Sequence, residues 1–429
     1  MRLIGIVITC FVLSAQKLCA QLSYYQDIEP IIQAKCFPCH APDNAAPIDL
    51  STKAKVIRQA NIIKYVIRTG YMPPWPADPH FSSFANEKML TDLEKGKLLA
   101  WIDQKDKSDK KSNTGRIARA SENTTNEPFL GVEMKEKYLI DGNGKDNIAQ
   151  FLIPIKLDKD SMVRKIEFIP GNRKAIHHAN FLIFGDSMVD KSRLKYYTQV
   201  QPLLETDIPF IDPIPAKDLL YYGGWLPGTD ALTFPPGFGF ILPKSAYILL
   251  TIHYAPTSID ANDQSRLKFY FARDTVRRIL ETITFGSAGK VAATYPPLLI
   301  PPDSIMSFEI RHTFVKDFSL IYINPHMHLL GRNFEAILIF PNNDTIPLIK
   351  INNWGFRWQY FYQLRKVLKV PLGAQIIIKA KYDNTSNNPF NPYHPPRLIK
   401  EGVMTNNEMM SLIFVGAFYK DGDENIKIP

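Results

Sequence analysis

Five of the nine histidines in this 429-residue chain lie in three short strings, each beside a run of apolar residues that is typical of a β-strand. The strings read AIHHAN at 175–180, LLTIHY at 249–254 and NPHMH at 324–328. A single histidine is more often a hydrogen-bonded surface or core residue than a ligand, but this concentration favours metal binding. The fold must therefore bring strand ends together around these rings.

The spacing within each string decides how the rings can meet. His326 and His328 are two residues apart, so in a regular strand they face the same side and can chelate one ion from a single strand end. His177 and His178 are adjacent and would face opposite sides of a regular strand. Both can bind one ion only if the backbone bulges or leaves the strand there.

Two ligand sets are predicted from these strings and one methionine. The first set is three imidazoles, those of His177, His178 and His253. The second set is two imidazoles and a thioether, those of His326, His328 and Met409, with Met410 as the neighbouring alternative. Neutral imidazole suits copper, and a soft thioether favours Cu(I). The chain is therefore predicted to hold two copper ions.

A different metal motif lies near the N-terminal end. Cys36-Phe37-Pro38-Cys39-His40 has the C-x-x-C-H pattern in which two thiols form thioethers to haem and the histidine binds the iron. A dithiol redox motif is the rival, but it belongs in a βαβ context and does not require His40. We therefore predict one covalently attached haem c, held by Cys36, Cys39 and His40.

The second axial ligand of this haem is predicted in a proline-rich loop. Helical apolar spacing runs from Lys53 to Thr69 and stops at Gly70, a natural helix-ending residue. Met72 follows directly in Tyr71-Met72-Pro73-Pro74, and the alternative is that it only packs in the core. Met72 is thus the predicted sixth ligand of the iron.

The last helix of this region is predicted to begin at Thr91, because Thr91 and Glu94 form a capping box. Its buried face should contain four apolar residues, namely Leu93, Leu98, Trp101 and Ile102. Residues 21–106, with their haem motif and helical spacing, resemble a small class I cytochrome c domain.

The chain is predicted to be exported. Arg2 precedes an apolar run at 3–13 and small and polar residues that end at Ala20, which together are typical of a cleaved signal peptide at 1–20. No other segment is long and apolar enough for a stable membrane span. Cys10 and Cys19 would leave with the signal, so the mature chain would keep only the two cysteines of the haem motif. A periplasmic location fits such a chain.

The formal charge of +9 does not predict nucleic-acid binding, because its densest basic run, at 105–119, lies in a Ser- and Asn-rich stretch without periodicity. We interpret 107–129 as a flexible linker, with docking to an acidic partner as the alternative. A tether of this kind would hold the haem domain at high effective concentration near the rest of the chain.

Beyond the linker, short β-rich runs punctuated by Pro and Gly predict antiparallel sandwiches. The first set of runs comprises 151–155, 165–169, 181–184, 247–254 and 267–271. The second comprises 307–314, 320–323, 334–340, 376–382 and 412–418. The fold class is therefore a small all-α domain followed by two all-β sandwiches, at 130–278 and 279–429.

The order of these motifs resembles the copper type II, ascorbate-dependent monooxygenases, which include the peptidylglycine α-hydroxylating and dopamine β-hydroxylating enzymes. The likeness covers about 130–419 and consists of His-His, His-Tyr, His-x-His-Leu-Leu-Gly and Gly-x-x-Thr-x-x-Glu-Met. It implies two jelly-roll-like domains, with an electron-transfer copper on the first histidine set and an oxygen-binding copper on the second. Met409 is preferred over Met410 because it follows the acidic Glu408. Asn384, Asn388 and Asn391 match the loop before it and are expected to be structural.

The chain also departs from that family. The amidating members have an Arg two residues before His-x-His and a Tyr four residues after the Met, where this chain has Asn324 and Ile413. A peptide C-terminus is therefore not the expected substrate. The fused haem domain is foreign to the animal enzymes and favours a bacterial periplasmic protein, whose electron donor is an ascorbate-like reductant or a redox protein.

Two function classes remain open at this point. The first is a monooxygenase, with His326, His328 and Met409 as catalytic ligands, that inserts one atom of O₂ into a C–H bond of a small molecule and takes electrons from the fused haem. The second is a non-catalytic electron carrier or copper-binding protein with the same ligands. Copper-dependent oxygen uptake would distinguish them.

We expect protein matured with haem-attachment machinery to keep its haem colour under denaturing electrophoresis. The double variant Cys36→Ala, Cys39→Ala should be colourless there, because no thioether can form. Met72→Ala should keep the haem but lose the low-spin spectrum of a Met-ligated iron, and its reduction potential should fall. An unchanged spectrum would make Met72 a packing residue.

Overall fold

The computed structural model describes residues 21–104, 129–144, 147–186, 219–272, 276–287, 291–402 and 405–429, together with the backbone of 201–202. The predicted signal peptide and the predicted linker, apart from Phe129, lie outside these residues. The described chain is mostly β-sheet with a helical region at one end. Its helices, as far as they are described, are too short or too polar to cross a membrane.

Residues 21–104, here called the helical unit, have their own small core around Tyr24, Trp101 and Leu98. After a π-helical turn at Tyr24–Ile28, the helices are α1 (Glu29–Lys35), α2 (Phe37–His40), α3 (Lys53–Arg58), α4 (Ala60–Arg68) and α5 (Asp92–Asp103). The helix predicted over 53–69 is interrupted at Gln59, between α3 and α4. Gly70 follows α4 with a φ of +70°, which suits its predicted role as a helix-ending residue.

The capping box at the start of α5 is confirmed: the Thr91 side chain accepts a hydrogen bond from the Glu94 N–H, and the Glu94 side chain accepts one from the Thr91 N–H. The predicted burial of Leu93 is wrong, since this side chain is 71% exposed. Leu93 lies five residues before buried Leu98, which places it about 140° around the helix from that residue.

The first sandwich begins at Phe129, where the linker was expected to end. One sheet has the order β1 (Phe129–Glu133), β12 (Arg266–Phe271), β4 (Ser161–Ile169), β9 (Phe238–Leu242) and β13 (Arg278–Ile279), with β8 (Leu232–Thr233) also on β4. The other has the order β6 (Gln201–Pro202), β3 (Asn147–Lys156), β10 (Ser245–Tyr254), β5 (Ile176–Gly185) and β7 (Leu219–Trp225). A small ribbon joins β2 (Tyr138–Ile140) to β11 (Ala261–Asp263).

The second sandwich begins with β14. Its first sheet has the order β14 (Glu281–Gly286), β23 (Ser411–Phe418), β17 (Phe318–His326) and β20 (Tyr362–Val370). Its second sheet has the order β16 (Ile305–Thr313), β21 (Gln375–Asp383), β18 (Gly331–Ile339) and β19 (Thr345–Ile351). A ribbon joins β15 (Leu299–Ile300) to β22 (Ile399–Lys400), and a 3₁₀ turn lies at Asp423–Asn425. The ten runs predicted as strands all overlap strands of the two sandwiches.

The sandwiches are joined through their cores. Tyr322 and Val415, from β17 and β23 of the second sandwich, belong to the same apolar cluster as Phe181 and Phe240 of the first. The Tyr322 hydroxyl also donates a hydrogen bond to the Thr233 carbonyl. Burial on this scale excludes water from the joint and fixes the strand ends of one sandwich relative to the other.

The helical unit also packs into the second sandwich. Ala77 and Phe84 belong to the apolar core of that sandwich and are 2% and 0% exposed. Ala77 forms a β-bridge with Ile351, and the Asp78 N–H donates to the Lys350 carbonyl. The segment after the predicted iron ligand Met72 is therefore part of the second sandwich as much as of the helical unit.

Phe84→Ala should lower the stability of the second sandwich by about 3–5 kcal/mol, the usual effect of removing a fully buried phenyl ring. Leu93→Ala is the control within the helical unit and should change stability by no more than about 0.5 kcal/mol, because Leu93 is exposed. Denaturant unfolding followed by tryptophan fluorescence measures both. Equal effects of the two substitutions would contradict the packing of Phe84 into the second sandwich.

Candidate metal centres

A β-bulge in β5 brings the adjacent histidines to one place. His178 pairs with His253 of β10, and the next pair is Ile176 with Tyr254, so His177 is the extra residue on the bulged strand. A bulge re-aims the side chain of the extra residue. The sequence allows His177 and His178 to bind one ion only if the strand bulges there, and β5 has that bulge.

The three rings are placed to share one ion. The Nδ1 atoms of His177 and His253 are 3.4 Å apart, and one ligand nitrogen from each of the three histidines lies within 4.8 Å of the others. Two imidazole nitrogens bound to one ion at about 2.0–2.1 Å lie about 3.3–3.6 Å from each other. The distance between His177 and His253 fits that geometry without movement.

The environment of the His178 ring favours its neutral form. Burial, and then the proximity of His253, His177 and His326, lowers the pKa of His178 well below its usual value. Its Nδ1 atom is buried and has no hydrogen-bond partner among the described residues. A buried ring nitrogen without a hydrogen-bond partner costs free energy. Binding of the nitrogen to a metal ion would remove that cost.

His326 and His328 lie with ring centroids 5.0 Å apart, but they do not share a regular strand. β17 ends at His326, and His328 lies beyond its end. Both rings therefore lie at one strand end, as the sequence predicts, although His328 itself is outside the regular strand. The Nδ1–H of His326 donates to Gln359 Oε1, and that of His328 donates to the Asn407 carbonyl at 3.1 Å.

These hydrogen bonds select one tautomer of each ring. Because an oxygen acceptor takes the Nδ1 proton, the lone pair of neutral His326 and His328 is on Nε2. Burial lowers the pKa of His326 and so favours the neutral form. The two rings are thus prepared as Nε2 ligands.

Glu408 is a buried carboxyl that organises the rest of this second set. Its Oε2 accepts from the backbone N–H of His328 at 2.9 Å and of Met409 at 3.3 Å, and its Oε1 accepts from the Leu330 N–H at 2.6 Å. Burial raises the pKa of Glu408 to about 8, whereas these N–H groups lower it. Glu408 therefore ties the backbone of Met409 to that of His328.

The two neighbouring methionines have different environments. Met410 is fully buried in the core of the second sandwich, and its N–H donates to Ser287 Oγ. Met409 is 8% exposed and belongs to neither large apolar cluster, while its carbonyl accepts from the Tyr382 hydroxyl. These positions suit the prediction that Met409 is the ligand and give Met410 a packing role.

One phenyl ring lies close to both histidine sets. The Phe356 ring centroid is 6.1 Å from those of His178 and His253 and 6.0 Å from that of His328. The His178 and His328 centroids are therefore no more than 12.1 Å apart. The two candidate centres, from different sandwiches, thus share one apolar neighbour.

The residues predicted to hold haem lie at the start of the helical unit. Cys36 and Cys39 are free thiols beside α2, and burial raises the pKa of Cys36 to about 12 and of Cys39 to about 11. Neither thiol therefore has the lowered pKa that is typical of a reactive dithiol. The His40 Nδ1–H donates to the Ile48 carbonyl at 2.7 Å, which leaves the Nε2 lone pair for a metal. Met72 lies in the loop after α4, and its N–H donates to the Val66 carbonyl.

Sequence reasoning missed Phe356 and Gln359, because nothing in their local sequence relates them to histidines more than 25 residues away. It identified Asn384, Asn388 and Asn391 as structural, and their amides donate to backbone or side-chain oxygens within their own loop and to Ile300 and Pro301. Asn324, which replaces the Arg of the amidating enzymes, is buried and donates to the Gln359 and Tyr360 carbonyls.

Comparison with known proteins adds little. No protein-family model matches the chain. Similar solved structures include an allantoicase, with 9% identity over 54% of this chain and 77% of that chain at a TM-score of 0.16. Another is the VP2 subviral particle of infectious bursal disease virus, with 8% identity over 70% of this chain and 73% of that chain at a TM-score of 0.18. Likeness this weak carries no argument about this protein.

Met409→Ile should weaken Cu(I) binding at the second centre by about tenfold or more, because it removes a soft ligand. Met410→Ile is the matched control at the adjacent position and should change stability by less than about 1.5 kcal/mol while leaving Cu(I) affinity unchanged. Competition with a Cu(I) chelator measures affinity. The opposite pattern would assign the thioether to Met410.

Proposed function

We propose that this protein is an exported, periplasmic two-copper monooxygenase that hydroxylates a C–H bond of a small organic substrate with O₂. The observation that carries the proposal is the proximity of two histidine sets, from two sandwiches, to the same Phe356 ring. Each set supplies imidazole nitrogens, and Glu408 links the backbone of Met409 to that of His328 in the second set. Such donor sets suit copper rather than a hard cation.

Bound copper would supply oxygen activation and one-electron transfer at these sites, and a covalent haem c on Cys36, Cys39 and His40 would supply electrons. The side chains prepare the sites for this. The bulge at His177 and the hydrogen bonds from His326 and His328 orient the ring nitrogens. Phe356 contacts rings of both sets.

The substrate is expected to be small and not a peptide C-terminus. The amide of Asn324 is engaged by two backbone carbonyls, and Ile413 is buried between the sandwiches. Neither position offers a cation or a hydroxyl for a carboxylate. This supports the departure from the amidating enzymes that the sequence indicates.

The test measures oxygen uptake by the haem- and copper-loaded protein with excess reductant. A monooxygenase should consume O₂ in a copper-dependent way, and Met409→Ile should lose most of that uptake while Met410→Ile retains it. His253→Ala should also lose uptake, yet its reduced second centre should still bind carbon monoxide. An electron carrier would cycle its copper ions between oxidation states with no copper-dependent uptake, and that result would reject the proposal.

A further inference from the structure

The helical unit is attached to the sandwiches by more than the predicted linker. Besides buried Ala77 and Phe84, it forms two hydrogen bonds with the backbone of the second sandwich, from the Ala85 N–H to the Gln363 carbonyl at 2.7 Å and from the Gln363 N–H to the side-chain Oδ1 of Asn86 at 3.0 Å. The Tyr360 hydroxyl donates to the Pro74 carbonyl at 2.9 Å. Contacts of this kind hold the helical unit in one orientation relative to the second sandwich, whereas a flexible tether alone does not.

A second contact joins the helical unit to the first sandwich. Cys39 lies against the turn Leu226-Pro227-Gly228-Thr229, and a Cβ atom added to Gly228 would be 2.6 Å from Cys39 Sγ. Real Cβ atoms do not approach so closely, so a larger residue at this position would force Cys39 Sγ to move. Gly228 also has a φ of +81°, which suits the Pro-Gly turn.

This turn is held rigidly. The Thr229 hydroxyl donates to the Leu226 carbonyl at 2.7 Å and accepts from the Leu226 N–H at 3.1 Å, and the Thr229 N–H donates to the same carbonyl at 3.0 Å. The neighbouring residue Asp230 pairs with Lys88 of the helical unit at 3.3 Å. The position of Cys39 relative to the first sandwich is thereby set by a stiff element.

The turn continues into the strand next to the first histidine set. β7 ends at Trp225, which pairs with Ala179, the residue after His178. A cavity of about 330 Å³ at the same place is lined by Lys88 of the helical unit, by Leu226 and Thr229 of the turn and by His178. The turn that contacts Cys39 therefore lines the same cavity as His178 of the first candidate centre.

We infer that the helical unit is docked in one fixed position and that the contact of Cys39 with the Gly228 turn is where electrons enter the first sandwich. The inference rests on the proposed function and specifies its electron supply. A haem held by Cys36, Cys39 and His40 would supply one electron at a time, its iron passing from ferrous to ferric, to a copper ion held by His177, His178 and His253, which would pass from Cu(II) to Cu(I) without a proton. Gly228 acts as a positioning residue: it contacts Cys39 and is not itself a proposed ligand of haem or copper.

The chain contains a matched control for Gly228. Pro236-Gly237 is another Pro-Gly turn of the first sandwich, its Gly237 has a φ of +80°, and nothing lies within 4 Å of a Cβ atom added there. Alanine at either position should lower stability by about 1–2 kcal/mol, because the backbone there is left-handed. Only Gly228→Ala must also displace Cys39.

The experiment uses the full chain loaded with haem and copper. The haem is reduced rapidly, and its reoxidation is followed at several protein dilutions in wild type, Gly228→Ala and Gly237→Ala. We expect a first-order phase independent of dilution in wild type and Gly237→Ala, and loss of that phase in Gly228→Ala. Hydrogen exchange at the Asp78 and Ala85 amides is the second readout, and both should be protected in wild type.

Each alternative result has a distinct meaning. Exposed, rapidly exchanging Asp78 and Ala85 amides in wild type would overturn the fixed docking whatever the electron transfer shows. Equal rates in Gly228→Ala and Gly237→Ala would overturn the contact as the entry point. Protected amides together with no copper-dependent reoxidation in wild type would instead reject the proposed function, because the docking would stand without an electron acceptor.

Discussion

The segment from Phe356 to Tyr362 is the constraint on which the arrangement of the candidate centres depends. Phe356 contacts rings of both histidine sets, Gln359 accepts from His326, and Tyr360 donates to Pro74 of the helical unit. The segment is itself held in place, because the Asn324 amide donates to the Gln359 and Tyr360 carbonyls and Gln359 Nε2 donates to the Phe356 carbonyl. A connected and satisfied polar network of this kind is rigid, so displacement of one member moves both centres.

Glu408 has the corresponding role on the other side of the second set. A buried carboxyl is costly, and only acceptor atoms can satisfy the N–H groups of His328, Leu330 and Met409 that surround it. Gln at this position would turn an N–H₂ group towards one of those donors. The acidic residue before the methionine is therefore required by backbone geometry, independently of any contact with a metal ion.

Much of this arrangement could be predicted from the sequence where the signal was local. The strand positions follow from apolar runs, and the capping box follows from Thr91 and Glu94. The need for a bulge at His177 follows from the period of two along a strand, and β5 has one. Leu93 was misassigned because apolar character alone does not say which face of α5 is buried.

What could not be predicted depends on contacts between distant parts of the chain. Phe356 and Gln359 have no histidine near them in sequence, and Ala77 and Phe84 are apolar residues that any small core could have buried. The polar composition of 107–129 indicates a tether, and a tether by itself predicts only a high local concentration. The docking contacts lie elsewhere, at 74–88 and at Cys39.

The difference between a tether and a docked unit matters for a reaction that needs electrons one at a time. A tethered donor has to find its acceptor anew for each electron, and most of its orientations place the haem far from the histidines. A unit held by buried Phe84 and by the Tyr360–Pro74 hydrogen bond keeps Cys39 against Gly228 throughout. In the proposed function, the second electron would then follow the same route as the first, and the supply would not depend on how often the two parts of the chain meet.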